Sequence, residues 1–319
     1  MNGTFGIKGI GTYIPATFQT VEEVLAGVGA GVGERRLLER IHQLRQIPMV
    51  KSGQRLEETI TYALEDLKTK VESCSIDVAL YAHSQFTHVP FRYDLLYKVL
   101  EVQGWEHVPC YGVDQLNCAS FFAALQLAHS IFARDELVEN VLLISADQSN
   151  FLSYGRYISR ATIMGDSATA LLLTRTGFRH RYLFTSVHSD PRFHRGFYDS
   201  EENRKAFNHD YLSNIMEGME HTLREVGMGL EEVDFILPHN VNHTTWRRFS
   251  ERSGMKADKV MTAWISQLGH TYTTDAQLIL AQLLAKSVFQ AGNRYMMVGV
   301  GLGCFVGTAI FEVIEEGVG

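Results

Sequence analysis

Cys118 holds the most reactive side chain in this 319-residue sequence, and it stands at a place that suits a nucleophile. It follows an apolar strand predicted over Val108 to Val113 and opens a helix predicted over Ala119 to Ala133. Unpaired backbone N–H groups and the positive end of the helix dipole at such a corner favour a thiolate. A cysteine among alanines and phenylalanines also serves as inert packing, so position alone leaves both roles open. Two histidines occupy comparable corners. His239 follows the strand Phe235-Ile236-Leu237, where Pro238 ends the strand and turns the next side chain outward. His270 precedes a helix in the stretch GHTYTTDAQLIL. Either can be an acid–base group or a hydrogen-bonded structural residue. His239 and His243 have the spacing of a helical metal pair, but no cysteine or carboxylate ligand accompanies them, and no metal is expected.

Asp275 lies five residues beyond His270 and reads in two ways. Its carboxylate suits the first turn of the helix, with Thr274 and Gln277 written as a capping box. It also suits a Cys/His/Asp relay in which it orients His270 and stabilises the imidazolium. Gly299, Gly301, Gly303 and Gly307 crowd a turn near the end of the chain. They permit close backbone approach, either to a ligand whose oxyanion the local N–H groups and that of Cys118 would bind, or simply within a tight hairpin.

The elements that position these residues are written twice. Val78-Ala79-Leu80 follows Asp77 as Phe235-Ile236-Leu237 follows Asp234, an offset of 157. Gln115-Leu116-Asn117-Cys118 runs into one amphipathic stretch as Gln267-Leu268-Gly269-His270 runs into another, an offset of 152. Val141-Leu142-Leu143-Ile144 corresponds to Met296-Met297-Val298-Gly299, and a glycine-containing turn and a closing strand follow each. Continuous apolar strands alternating with helical patterns predict an α/β protein of two duplicated halves, residues 1–176 with the cysteine and residues 177–319 with both histidines. Their strand-to-helix corners should meet at one site. Residues 177–210 are polar and weakly periodic, and are expected to form a connecting loop that covers the substrate.

Composition narrows the partners. With 45% apolar and 20% charged residues the chain can bury a large core, and a formal charge of -7 with scattered basic residues excludes a nucleic-acid face. The start of the chain lacks an export signal, so a cytoplasmic location is expected. The four cysteines show no disulfide or zinc spacing. The apolar run from Tyr295 to Phe311 contains four glycines and reads as two strands around a turn, so no membrane span is expected.

Taken in order, GIKGIGTYIP, VDQLNCASFFAALQLA, MGDSATALLL, VHSD, LPHNVN, LGHTYTTDA and GLGCFVG resemble ketoacyl synthase III-like enzymes of the thiolase superfamily over nearly the whole chain. The resemblance implies a thiolase fold of five α-β-α-β-α layers. It implies that Cys118 accepts the acyl group, that His239 is the family histidine, and that the N–H groups of Cys118 and the Leu302-Gly303 loop form the oxyanion hole. It further implies a homodimer, an acyl-coenzyme A or acyl carrier protein donor, and no additional cofactor. Where condensing members place asparagine, this chain has His270, and the segment LAGVGAGVGERRLLER lacks their Asp-Glu-Trp. A neutral His270 would deprotonate an alcohol or amine. The expected function is therefore that of the acyltransferase branch, an acyltransferase of natural-product or polyketide pathways. The acyl group would pass by ping-pong through Cys118 to a hydroxyl, amine or carrier thiol, with His239 shuttling a proton. Asn242, Arg156, Arg160 and Arg247 are the candidate substrate contacts. The alternatives are a decarboxylative carbon–carbon condensing synthase and a catalytically silent partner subunit.

Overall fold

Uninterrupted apolar segments such as VALYA, NVLLISAD and SATALLLT make strands that are buried on both faces. The computed structural model describes residues 4–85, 89–90, 92–149 and 155–315. Nine strands pair into one sheet: β1 (Gly6–Tyr13), β2 (Val78–Ala82), β3 (Cys110–Val113), β4 (Asn140–Asp147), β5 (Ser167–Thr174), β6 (His180–Ser189), β7 (Phe235–Leu237), β8 (Arg294–Gly301) and β9 (Phe305–Val313). Their spatial order is β7-β8-β9-β6-β1-β5-β4-β2-β3. The principal helices are α1 (Leu56–Lys68), α2 (Leu95–Val102), α3 (Ser120–Arg134), α4 (Glu201–Glu225), α5 (His243–Ser253) and α6 (Asp275–Ala285).

The duplication extends to individual hydrogen bonds. In the first half β1 pairs antiparallel with β5, β5 antiparallel with β4, and β4 parallel with β2; in the second, β6, β9, β8 and β7 repeat that sequence of directions. The partner of β2, strand β3, has only a remnant in the second half, a single parallel bridge between Ile236 and Val260. Asp77 accepts from the N–H of Asn140 at 2.8 Å and Asp234 from that of Arg294 at 2.9 Å, so each aspartate fastens the start of one strand to the start of its neighbour. The residue before Cys118, Asn117, has φ 50°, and the residue before His270, Gly269, has φ 58°. Both corners thus turn through a residue of positive φ, which asparagine and glycine tolerate best.

Alternation along the strands separates three cores. Val141 and Leu143 of β4 face the central cluster, which holds α3 and α6 between the two half-sheets; Leu142 and Ile144 face α1 and α2. In the second half Tyr295 and Met297 face the centre, while Met296 and Val298 face α4 and α5. The result is the five-layered thiolase arrangement that the resemblance implies, with β1 and β6 joining the half-sheets through Gly6–Arg181 and Ile7–His180. Among the described residues no helix is long and apolar enough to cross a membrane.

Residues 177–210 do not form the expected covering loop. The segment supplies β6, at the centre of the sheet, then short 3-10 turns and the first turns of α4. Ser186 of this strand is buried and bonded across layers: its hydroxyl meets that of Thr222 at 2.7 Å, and Thr222 meets Thr308 at 2.6 Å. Polar composition therefore concealed a core strand. The capping box expected at Thr274 is also absent, because the Thr274 hydroxyl donates to the Thr271 carbonyl at 2.7 Å.

The glycine-rich hairpin between β8 and β9 packs on the nucleophile corner. A Cβ at Gly301 would lie 2.0 Å from the Leu116 carbonyl oxygen and 3.3 Å from the Ala119 nitrogen. Gly301→Ala must displace backbone, at a cost of about 1–3 kcal/mol for overpacking. The expected outcome is a lower urea midpoint together with slower acylation of Cys118; an unchanged midpoint and acylation rate would show that the hairpin does not buttress the corner.

Candidate active site

Three side chains from the two halves converge where α3 and α6 begin. Cys118 sits in a 3-10 turn of residues Asn117–Ala119 that leads into α3, and it retains 9% exposure. His270 sits one turn ahead of α6, and His239 follows β7, as the strand-ending Pro238 predicts. His270 Nε2 lies 3.1 Å from Cys118 Sγ and 3.3 Å from His239 Nε2. The two imidazoles stand nearly perpendicular, at 84° with centroids 4.3 Å apart. The pseudo-symmetric corners therefore bring together the nucleophile and the two histidines singled out from the sequence.

Asp275 completes the cluster. His270 Nδ1–H donates to its Oδ2 at 2.7 Å. The Asn240 N–H also donates to Oδ2 at 2.7 Å, and the Thr271 N–H and hydroxyl donate to Oδ1 at 2.6 and 2.7 Å. Burial alone would raise the Asp275 pKa, but the charge of His270 and these bonds hold it below the usual carboxylate value. For His270 burial is the largest single influence and opposes the charge. Asp275 and the sulfur of Cys118, through charge and hydrogen bonding, outweigh it and raise the pKa to about 10. His239 goes the other way: burial first, then the neighbouring His270 charge, depress it to about 3, against a smaller opposing pull from Asp275. Near neutral pH the pair is one imidazolium and one neutral imidazole.

That assignment corrects the reading of His270 as a base. An imidazolium cannot deprotonate an alcohol or amine; it donates, as the amide of an asparagine would.

The other candidates fall in different places. The Asn242 side chain caps α5 by accepting from Thr245 N–H at 2.9 Å and donates to the Ala161 carbonyl at 3.2 Å. Arg156 is buried and forms a two-pronged ion pair with Asp166, at 2.8 and 2.7 Å. Arg160 is exposed, and its backbone N–H meets Glu34. Arg247 is exposed on α5 beside Glu251. Asn117 donates to the Leu302 carbonyl at 3.2 Å, which ties the Leu302-Gly303 loop to the nucleophile turn.

Sequence reasoning missed several contributors. Tyr211 on α4 brings its hydroxyl to 3.3 Å from His239 Nδ1, and the Trp246 indole donates to the His239 carbonyl at 2.7 Å. The i, i+7 step from His239 to Trp246 was the one legible hint; Tyr211 carried none. Among the described residues, Cys118, His239 and His270 are the group whose donor atoms lie close enough to hold a metal ion, within 4.8 Å of one another. His243, spaced from His239 like a helical metal pair, is not in that group.

Family comparisons agree with this geometry. A model described as 3-oxoacyl-[acyl-carrier-protein (ACP)] synthase III matches residues 114–191, and its C-terminal counterpart matches residues 223–313, together more than half of the chain. The chain belongs to the ketoacyl synthase III family of the thiolase superfamily. Among curated relatives, a beta-ketoacyl-[acyl-carrier-protein] synthase III of Coxiella burnetii is 21% identical, covering 96% of this chain and 98% of that one. A synthase III of Bacillus anthracis is 23% identical over 93% and 95%.

Solved structures show the shared fold. ChlB3, described as an "Aceyltransferase", superposes with TM-score 0.84 at 20% identity, covering 98% of each chain. OleA of Xanthomonas campestris gives 0.82 at 15%, covering 98% and 99%. The 3-oxoacyl-[acyl-carrier-protein] synthase III of Aquifex aeolicus gives 0.79 at 18%, covering 97% and 99%. At such identities these likenesses bear on fold alone.

The expected membership of the acyltransferase branch, and with it acyl transfer to a hydroxyl, amine or carrier thiol, is overturned. The relatives matched along the full chain, and both family models, are ketoacyl synthases, named for building a β-keto product.

The two shifted imidazoles set the pH behaviour. The folded pKa of His270 exceeds its ordinary value near 6.5, so its contribution to stability is fully present below about 6.5 and fades as pH rises through about 10. The folded pKa of His239 is depressed, so its contribution is present above about 6.5 and is lost as pH falls towards about 3. In proton NMR neither ring should titrate between about pH 6 and 8.5. In Asp275→Asn, His270 should become neutral within that range, and breaking the buried pair should cost about 3–5 kcal/mol of stability. A His270 signal that titrates identically in both proteins would refute the assignment.

Proposed function

We propose that the protein is a decarboxylative carbon–carbon condensing enzyme that elongates an acyl group held on Cys118. The observation that carries this reading is the pairing of a protonated His270 with a neutral His239, their Nε2 atoms 3.3 Å apart at the nucleophile. Decarboxylative condensation asks for hydrogen-bond donors to an enolate oxygen and for no base, and this pair supplies donors.

The first step is acylation. The sulfur of Cys118, 3.1 Å from His270 Nε2, loses its proton to water and attacks the carbonyl of an acyl thioester, the donor being acyl-coenzyme A or an acyl carrier protein. Backbone N–H groups of Cys118 and of the Leu302-Gly303 loop serve as oxyanion donors in this reading. The carbon–sulfur bond of the donor breaks, and the released thiolate takes a proton from water. In the second step a malonyl-type thioester loses carbon dioxide, and the electron pair of the broken carbon–carbon bond becomes its enolate. His270 and His239 donate to the enolate oxygen. The enolate carbon attacks the acyl carbonyl on Cys118, and the thiolate leaves opposite the His270 imidazolium. One proton is consumed per turnover, and His270 is protonated at both ends of the cycle.

The complete Cys118, His270 and Asp275 relay weighs against a silent subunit, which would have no need of a buried imidazolium. The homodimer implied by the family belongs to this reading, and light scattering after size exclusion should give twice the chain mass.

Two half-reactions test the mechanism. Intact-mass analysis should find acyl groups on Cys118 after mixing with acyl thioesters, and none on Cys118→Ala. Adding a carboxyl-labelled malonyl thioester to the acyl-enzyme should release labelled carbon dioxide in equal amount to a β-ketoacyl product. His239→Ala should retain acylation but lose about 10²–10³ in the condensation rate, the usual effect of removing one oxyanion donor. Acylation followed by neither carbon dioxide release nor a keto product would sink the proposal.

A further inference from the structure

His239 is neutral and has one ring proton to place, and its two nitrogens face different partners. Nε2 faces His270 Nε2 at 3.3 Å, while Nδ1 faces the Tyr211 hydroxyl, also at 3.3 Å. When His270 carries protons on both nitrogens, its Nε2–H favours a bare, accepting Nε2 on His239, which puts the His239 proton on Nδ1. For donation to a substrate oxygen the proton must instead be on Nε2, and then Nδ1 needs a donor of its own. A phenol can do either, accepting from Nδ1–H in the first tautomer and donating to bare Nδ1 in the second.

The rest of the surroundings leave this role to the phenol. The backbone at His239 is held by the Trp246 indole, which donates to its carbonyl. Asp275 Oδ2 lies 3.9 Å from His239 Nε2 and is engaged by His270 and Asn240. Tyr211 is itself held by edge-on packing against Phe207, which packs in turn against Phe193, each at 5.5 Å between ring centroids.

We infer that Tyr211 is a positioning residue that sets the tautomer of His239: its hydroxyl donates to Nδ1 and so holds the ring as the Nε2–H donor required when the enolate forms. This inference rests on the condensing reading of the site. It also predicts a division of labour, in which acylation of Cys118, served by His270, is indifferent to Tyr211, and condensation, served by His239 as well, is not.

The test is Tyr211→Phe, which keeps the ring and its packing and removes the hydroxyl. Acylation followed by intact mass should proceed within about twofold of wild type, which also reports that the variant is folded. Condensation from the preformed acyl-enzyme should fall by about tenfold to a hundredfold, the lower range for a weakened oxyanion donor. In protein labelled with 15N-histidine, the His239 signals of the wild-type acyl-enzyme should be those of an Nε2–H ring, and those of the variant should move towards Nδ1–H. Replacement of Tyr211 by a fluorinated tyrosine, which restores a donating hydroxyl, should restore both the rate and the nitrogen signature. Equal loss in both half-reactions, or an unchanged tautomer, would overturn the role. The nitrogen signature needs no turnover, so a wild-type enzyme that acylates without condensing would refute the condensing reading while leaving the tautomer question answered.

Discussion

A buried carboxylate with four donors holds this site together. Asp275 is almost fully enclosed, and an isolated carboxylate there would cost several kcal/mol of lost hydration. His270, Asn240 and two groups of Thr271 replace that hydration at 2.6 to 2.7 Å. Because Asn240 belongs to the turn after β7 and Thr271 to the turn before α6, the same four bonds that satisfy the charge also bind two loops into one rigid corner. His239, immediately before Asn240, is placed by that link. The nucleophile depends on it in turn, since the orientation of His270 fixes which nitrogen meets the sulfur.

The corner is a second use of a scaffold that appears twice. Cys118 and His270 each follow a residue of positive φ, Cys118 lies within a short 3-10 turn and His270 just ahead of one, and each turn leads into a helix of the central layer. One copy contributes the sulfur and the other the imidazole that faces it. Packing explains how two distant segments keep a 3.1 Å contact: α3 and α6 share the central core with both half-sheets, so neither corner moves without disturbing side chains such as Phe122 and Ile279. The glycines of the β8–β9 hairpin serve the same end, because Gly307 and Gly299 leave room for the Phe122 ring that anchors α3.

Much of this was legible in the residues. Offsets of 157 and 152 between like segments exposed the duplication and placed His270 opposite Cys118, and Pro238 marked the corner of His239. Strand β6 was not legible, because its buried side chains include the polar His180, Thr185 and Ser186, of which Ser186 finds partners on α4 and β9 across layers. Hydrophobic periodicity cannot reveal a strand whose burial is satisfied by hydrogen bonds. Tyr211 was hidden for the same reason, since it lies on the helix that follows and meets His239 only through the fold. The protonation of His270 was the consequential miss. Its residue type suggested a base, whereas its charge is set by distances to Asp275 and Cys118 that spacing along the chain does not determine.

A histidine in place of an asparagine need not change the chemistry once that charge is counted. In the proposed cycle, with Asp275 negative and His270 positive, the acyl-enzyme has no net charge in the cluster, and a bound enolate adds a single negative charge opposite the same imidazolium. The enolate and the sulfur that leaves after it would then meet one preorganised field, with no dipole to reorient between them. An amide would provide a donor without that charge. The imidazolium provides donor and charge together, and the requirement it imposes is the buried carboxylate behind it. That explains in physical terms why this chain carries His270 and Asp275 as a pair, and why a histidine can serve there as a donor and not as a base.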